Sequence, residues 1–398
     1  MIKKIKLRKW IILIILYILS GSTYITLISN SQWIAAIGIV LMVPSIIIAM
    51  KRTISINDFF RGLLAYGFSL FVMSMGILNK ESLGSYFRVS LVFLFAYFFT
   101  KEFEFDEFRK IFTNFILVIS AIDVMIYAIL QKMGQFSFLP IAYNGNGEGY
   151  RIGIIFNYLL SHPERNSGIY WEPGLFATMI VLAFLLELIF EDKIHLWRAL
   201  IYHICIFTTA SSAGVVLILF CDLILLNKCI STFSSNKAVN YCVFFVVYAL
   251  LLTLFINLDT VLTTTGLAQQ RVYAKLLSDN MGSSARMQAF TRNWSLFCQN
   301  PIWGMGIGKA YSAAANFSDT STTTFMMVEF GIIGALPTAF VIKSIIGLRK
   351  DLIVSISVIT IFLCILNKEP HMRIAIIWII AFYFSKEKSN IINKEVKV

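Results

Sequence analysis

The stretch "RNSGIYWEPGLFATMIVLAFLLELIF", residues 165–190, decides how this chain is read. Its second part, 174–190, holds a single charged residue, Glu187. Such a run approaches the roughly 20 apolar residues that carry a helix across a bilayer. The first part differs. Arg165 and Glu172 stand there with Gly168, Pro173 and Gly174. Charge sits at the mouth of a hydrophobic segment, beside residues that shape turns and helix starts.

Working outward, the same pattern repeats. The chain has 398 residues, 58% hydrophobic and 14% charged, a balance that soluble domains rarely reach. It reads as an all-α integral membrane protein, one polytopic domain over 1–398. About twelve transmembrane helices are expected, near 10–28, 33–50, 60–78, 85–100, 110–131, 174–190, 196–209, 212–227, 240–258, 322–342, 352–366 and 371–385. "TTASSAG", 208–214, is a weak break between two of them. The stretches 132–173 and 259–321 are too long and polar for tight turns.

The net charge of +12 is explained by orientation rather than by nucleic acid, for which no role is expected. With "MIKKIKLRK" in the cytoplasm, twenty-two of the 34 Lys and Arg fall on inner segments. Short outer turns hold only Lys80, Arg88, Lys368 and Arg373. Positive charge concentrates inside, so both termini are expected in the cytoplasm and both long loops outside. Of six cysteines only Cys298 lies in an outer loop, so no outer disulfide forms. No zinc-like spacing occurs, and no metal or other cofactor is expected.

The outer loops carry Lys132, Arg151, Arg165, Arg271, Lys275, Arg286, Arg292 and Lys309. Singly, each reads equally well as a solvated side chain. Together the arginines suggest an outward-facing anion site, since the guanidinium fork suits phosphate. In loop one, "NGNGEG" signals a turn and "GIIFNYLLS" reads as a short interfacial helix. Pro173 fits the first position of the next helix, placing Glu172 at its cap. Glu172 is then either a capping residue or a carboxylate fixed at the outer surface beside Arg165. Gly168 lets backbone approach closely.

In loop two, Met287, Phe290, Trp294 and Phe297 share one helical face, for a helix lying on the membrane or packing on the bundle. Arg286 falls in its first turn, where an anion is favoured. Arg292 points roughly 120° away and by itself reads as solvated or snorkelling. "PIWGMGIG", 301–308, is a helix stop and tight turn. Asp123, Glu187 and Asp222 fall in or near spans, where a charge costs roughly 2.5–3.5 kcal/mol. Each lines a cavity, pairs with a neighbour or stays protonated.

At three places the sequence resembles the Wzy-type polymerases of O-antigen, capsule and exopolysaccharide synthesis, whose wider group includes the O-antigen ligases. The first is Arg165–x–x–Gly168–x–x–x–Glu172–Pro173 ahead of a span. The second is "SSARMQAFTRNWSLFCQNPIWGMGIG", similar to the group's arginine-then-NP-x-x-G-x-G pattern. The third is "VEFGIIGALP", 328–337. The group's Arg-x10-Gly spacing also occurs in loop two, from Arg271 to Gly282. The ligases tend to carry a His-Asn pair before "GIIG"; here that region reads "DTSTTTFMMVEFGIIG", without histidine. The departure favours polymerase over ligase.

The resemblance implies a GT-C-like polytopic architecture in the bacterial cytoplasmic membrane with the active site facing outward. It implies inverting, metal-independent transfer of a glycan from undecaprenyl diphosphate to the non-reducing end of a lipid-linked repeat unit. Arg165 and Arg286 would neutralise the leaving diphosphate, and Glu172 would take the proton of the attacking hydroxyl. A helix start and a nearby guanidinium weaken a carboxylate as a base and partial burial strengthens it; the sequence leaves that balance open. Arg151, Gly168, Tyr170, Arg271, Arg292 and Glu329 would contact substrate. The implied partners are the undecaprenyl-diphosphate-linked oligosaccharide, membrane lipid, a chain-length regulator and a flippase. The rivals are an O-antigen ligase, a lipid-linked oligosaccharide flippase or twelve-span secondary transporter, and a membrane acyltransferase. A transporter would show broken helices related by repeat and polar residues near the midplane.

Overall fold

The computed structural model describes residues 2–19, 21, 56–133, 137–144, 147–233, 237–256, 285–314, 321–348, 351–368 and 374–395. The expected span at 33–50, and residues 259–284 and 315–320 of loop two, with Arg271, lie outside the described residues. The chain is mostly helical. In order, the elements are α1 (Ile2–Leu19), α2 (Ile56–Leu78), α3 (Leu83–Glu102), α4 (Phe105–Met133), strands β1 (Ile141–Tyr143), β2 (Gly149–Ile152) and β3 (Asn157–Leu159), then α5 (Pro173–Phe190), α6 (Leu196–Thr209), α7 (Ser212–Phe233), α8 (Lys237–Ile256), α9 (Ala285–Gln299), α10 (Ile307–Ala313), α11 (Thr322–Phe330), α12 (Leu336–Gly347), α13 (Leu352–Leu366) and α14 (Ala375–Glu395). A short 3-10 turn, Gly331–Ala335, joins α11 to α12.

Six segments among the described residues are long and apolar enough to cross a membrane: Asp58–Leu78, Leu83–Glu102, Phe105–Lys132, Pro173–Phe190, Ser212–Ile230 and Thr322–Gly347. Shorter apolar helices lie at Leu196–Thr209, Leu352–Leu366 and Ala375–Lys386. This is consistent with an α-helical membrane protein.

Two compact units divide the chain. The first comprises 1–112, 285–349 and 362–398; the second comprises 113–284 and 350–361. In the first, α2, α3, α12 and α14 pack around aromatic side chains. Trp378 is fully buried, with its ring 4.5 Å from Phe93. The Tyr383 hydroxyl donates to the Phe103 carbonyl at 3.0 Å, satisfying the one polar atom of a buried ring. In the second unit α5 is the central helix. Every residue from Pro173 to Ile189 is buried, as expected for a helix apolar on all sides. α6 and α7 pack on it, and a Cβ at Gly214 would lie 2.7 Å from Ala177.

The weak break at 208–214 is a real helix end. Ala210 adopts a left-handed conformation (φ 49°, ψ 34°) and closes α6, and α7 begins at Ser212. The charges within these helices are also resolved. Arg198 holds Glu187 through Nε at 3.0 and 3.1 Å and through Nη2, and the Tyr202 hydroxyl adds 2.9 Å. His203 Nε2 lies 3.1 Å from both oxygens of Asp222. Two of the three acids are therefore paired by residues one helix away; Asp123 is the exception.

Two local expectations are corrected. "GIIFNYLLS" is not a helix: its centre is strand β3, at the edge of a three-stranded antiparallel sheet pairing Ile141 with Arg151 and Arg151 with Tyr158. The apolar residues there alternate too little to reveal the strand. The sheet puts Tyr158 into a buried cluster with Leu130 and Phe156. Of "NGNGEG", residues 145 and 146 lie outside the described residues; between β1 and β2, Asn144 Oδ1 accepts from the Glu148 amide at 2.9 Å. In α9 the packed face is Ala289, Asn293 and Leu296, whereas Phe290 and Trp294 are exposed. Asn293 donates to Thr324 Oγ1 at 3.0 Å, so that face is fixed by a buried amide as well as by apolar contact.

Candidate functional site

The loop 165–172 belongs to the second unit. It is stitched to the end of α6 on one side and to β3 on the other. Arg165 Nε donates to the Thr209 carbonyl at 3.4 Å. The Asn166 amide donates to the Thr208 carbonyl at 3.0 Å and its Nδ2 to Thr208 Oγ1 at 3.0 Å. Both groups answer the unsatisfied acceptors at a helix C-terminus, where cations are also favoured. On the other side, the Gly168 carbonyl accepts from the Asn157 amide at 2.9 Å and from Asn157 Nδ2 at 2.8 Å. The Tyr127 hydroxyl donates to the Glu164 carbonyl at 2.7 Å, tying in the end of α4.

Gly168 is the pivot. Its φ is +57°, and a Cβ there would meet Asp123 Oδ2 and Phe176 Cε1, each at 2.8 Å. Only glycine satisfies both the left-handed backbone and the space. Tyr170 is fully buried, with its ring 5.6 Å from Phe176. Glu172 is the N-cap residue of α5, with Pro173 next, and its side chain makes no capping hydrogen bond. The helix start is made by the Glu172 carbonyl, which accepts from Phe176 at 3.2 Å. The half-buried carboxylate is thus not consumed by the helix. It acts on Tyr150 of β2: burial first, then the charges of Glu148 and Glu172, push the Tyr150 phenol up from its ordinary range. Arg151, in the same strand, donates through Nη1 to the carbonyls of Ser137 (3.0 Å) and Leu139 (2.5 Å), bracing the approach to β1.

Asp123 is fully buried in α4, directly beneath Gly168. Neither carboxylate oxygen has a hydrogen-bond partner among the described residues. The sequence raised Asp123 only as one acid of three.

The first unit joins the other two motif segments. The Met305 amide donates to the Val328 carbonyl at 2.8 Å and the Gly306 amide to the Glu329 carbonyl at 3.0 Å. The Ile332 amide returns a bond to the Pro301 carbonyl at 2.8 Å. "PIWGMGIG" is therefore docked, through backbone, on the end of α11. A Cβ at Gly304 (φ +73°) would lie 2.5 Å from the Glu329 carbonyl oxygen, so the close approach needs glycine. Glu329 is fully buried. Arg292 Nη2 donates to the Ala313 carbonyl at 3.1 Å, at the end of α10. Arg286 lies in the first turn of α9, and its side chain lies outside the described residues.

Beside this docked turn is an arrangement the sequence did not reveal. Glu81 accepts from the Tyr86 hydroxyl (2.5 Å), the Gly308 amide (2.7 Å) and the Lys309 amide (3.1 Å), and the Ile307 amide donates to the Tyr86 hydroxyl at 2.8 Å. Burial alone would raise the Glu81 carboxyl, but these donors and the Lys309 charge hold it below the ordinary range. Around it opens a cavity of about 410 Å³ lined by Glu81, Ser82, Ser85, Tyr86, Ile307, Gly308 and Tyr311. A carboxylate, hydroxyls and an aromatic ring at one opening can bind a polyol such as a sugar. Glu81 and the amides of Gly308 and Lys309 that it accepts from are 227 residues apart in sequence or more, so no local pattern signals them. No group of three or more His, Cys, Asp or Glu that could hold a metal occurs among the described residues.

No family model matches this chain, and no curated protein matches it.

Proposed function

We propose that this protein is a membrane glycosyltransferase that polymerises a lipid-diphosphate-linked oligosaccharide. It does so with twelve spans and both long loops on the outer face of the bacterial cytoplasmic membrane. The observation that carries the proposal is the pairing of "PIWGMGIG" with "VEFGIIG". Two segments picked out by resemblance alone are joined by three backbone hydrogen bonds beside a cavity with carboxylate and hydroxyl lining. Support also comes from the 165–172 loop, where a braced arginine and a carboxylate left out of helix capping share one short turn.

The chemistry assigns each residue a task. Diphosphate leaves readily once its charge is met, which guanidinium groups do without a metal. Arg165 fills that role in the second unit, and Arg286 is the candidate for it in the first. The attacking sugar hydroxyl must lose a proton as it reacts, and Glu172 accepts it. With one base and no nucleophilic carboxylate, the anomeric carbon inverts. In the first unit, Tyr311 and the Glu81 carboxylate offer a surface suited to a sugar ring.

The test is elongation by purified variants. Arg165→Ala, Glu172→Gln and Arg286→Ala should each lose chain growth by at least about 100-fold while inserting as the wild type does. Full activity in Glu172→Gln removes Glu172 as the base. A second reading, a flippase, draws on the interruption of the apolar stretch Thr322–Gly347 at Gly331–Ala335; it requires substrate movement with no new glycosidic bond.

A further inference from the structure

We propose that Asp123 anchors a binding site for a monovalent metal cation, Na+ or K+, beneath Gly168 in the second unit. The site lies below the 165–172 loop and does not depend on the glycosyltransferase reading.

The argument starts from charge. Asp123 is 0% exposed, in a helix long and apolar enough to span a membrane. An ionised carboxylate there needs a counter-charge. Glu187 has its own in Arg198, and Asp222 has the His203 ring as a hydrogen-bond partner. Asp123 has none of that kind: both Oδ1 and Oδ2 are without a hydrogen-bond partner among the described residues. The neutralising charge is therefore one that the protein takes up.

The surroundings say what kind. Ser120, one turn before Asp123 and on the same helix face, is also 0% exposed. Its Oγ makes no hydrogen bond to nitrogen or oxygen among the described residues. Asn157 is 1% exposed, and its Nδ2 is committed to the Gly168 carbonyl while its Oδ1 has no partner among the described residues. Asp123 Oδ2 lies 2.8 Å from where a Cβ on Gly168 would stand, and Asn157 is held to the Gly168 carbonyl by Nδ2, so each brings an unpartnered oxygen to the neighbourhood of Gly168. Carboxylate, hydroxyl and amide oxygens are hard ligands, suited to alkali and alkaline-earth ions rather than to softer metals. One carboxylate balances one positive charge, and a divalent ion demands more oxygen ligands and negative charge than this. Full burial excludes a sugar or a diphosphate, which leaves a small ion.

The test uses the full chain purified in detergent, at fixed pH and equal ionic strength in NaCl, KCl or choline chloride. The midpoint of thermal unfolding should be higher in NaCl or KCl than in choline chloride by about 2 °C or more, and the rise should saturate with concentration. Asp123→Asn should remove that difference. Ser120→Ala, which keeps the charge, should raise the half-saturating cation concentration by about threefold or more. Equal midpoints in all three salts overturn the proposal. So does a wild type that ignores the cation and is stabilised only by lowering pH, which would make the neutralising charge a proton. If Asp123→Asn does not fold, the wild-type salt comparison and Ser120→Ala decide the matter alone.

Discussion

Replacing Gly168 with alanine tests the pivot of the 165–172 loop. The substitution adds one methyl group at a position with φ +57°. A left-handed conformation costs an L-residue about 1–2 kcal/mol. The methyl would also lie 2.8 Å from Phe176 Cε1 and Asp123 Oδ2. Phe176 and Asp123 are both 0% exposed, so neither can swing away, and overpacking of this kind costs about 1–3 kcal/mol. Together the loss is roughly 2–5 kcal/mol. The assay is thermal unfolding in detergent beside Gly67→Ala, a change with no heavy atom within 4 Å of the new Cβ. Gly67→Ala lies within α2 and should be neutral or slightly stabilising. Gly168→Ala should lower the midpoint by at least about 2 °C. If both variants unfold with the wild type, the loop does not press on Asp123 and Phe176 as described.

Two further predictions concern charge. Glu187→Ala leaves Arg198 without the carboxylate that it holds through three contacts; the loss should be about 3–5 kcal/mol, and Arg198→Ala in the same background should recover part of it, whereas strict additivity in the double-mutant cycle would show that the pair does not couple. Glu81 has its folded-state pKa below the ordinary 4.5, so its contribution to stability is complete above that value and fades as pH falls through the folded pKa. Glu81→Gln should therefore lower stability at neutral pH and flatten the acid-side decline; an unchanged acid limb in pH-dependent unfolding would contradict the hydrogen bonds assigned to it.

The helices were legible because their signal is local. The apolar run 174–190 names its own helix, and Pro173 marks where that helix starts. The three strands were not, because "GIIFNYLLS" is apolar in a way that suits either element, and its pairing with β2 decides between them. The aromatic stripe of α9 misled in part: the residues that pack are small or polar, Ala289 and Asn293, and a period of large side chains does not see them. Pro173 marks Glu172 as the cap residue, but sequence does not separate a capping carboxylate from one left out of the cap. Asp123 and Glu81 owe their surroundings to contacts made across long sequence separations. No spacing rule reaches that far.

The central claim is that this chain forms glycosidic bonds between lipid-diphosphate-linked oligosaccharides. The most direct measurement is reconstitution of the purified protein into liposomes with a synthetic lipid-diphosphate repeat unit, followed by separation of the products by length. Chain growth and release of lipid diphosphate, with no added nucleotide or metal, is the predicted result. Repeat units that change leaflet yet stay single would contradict it.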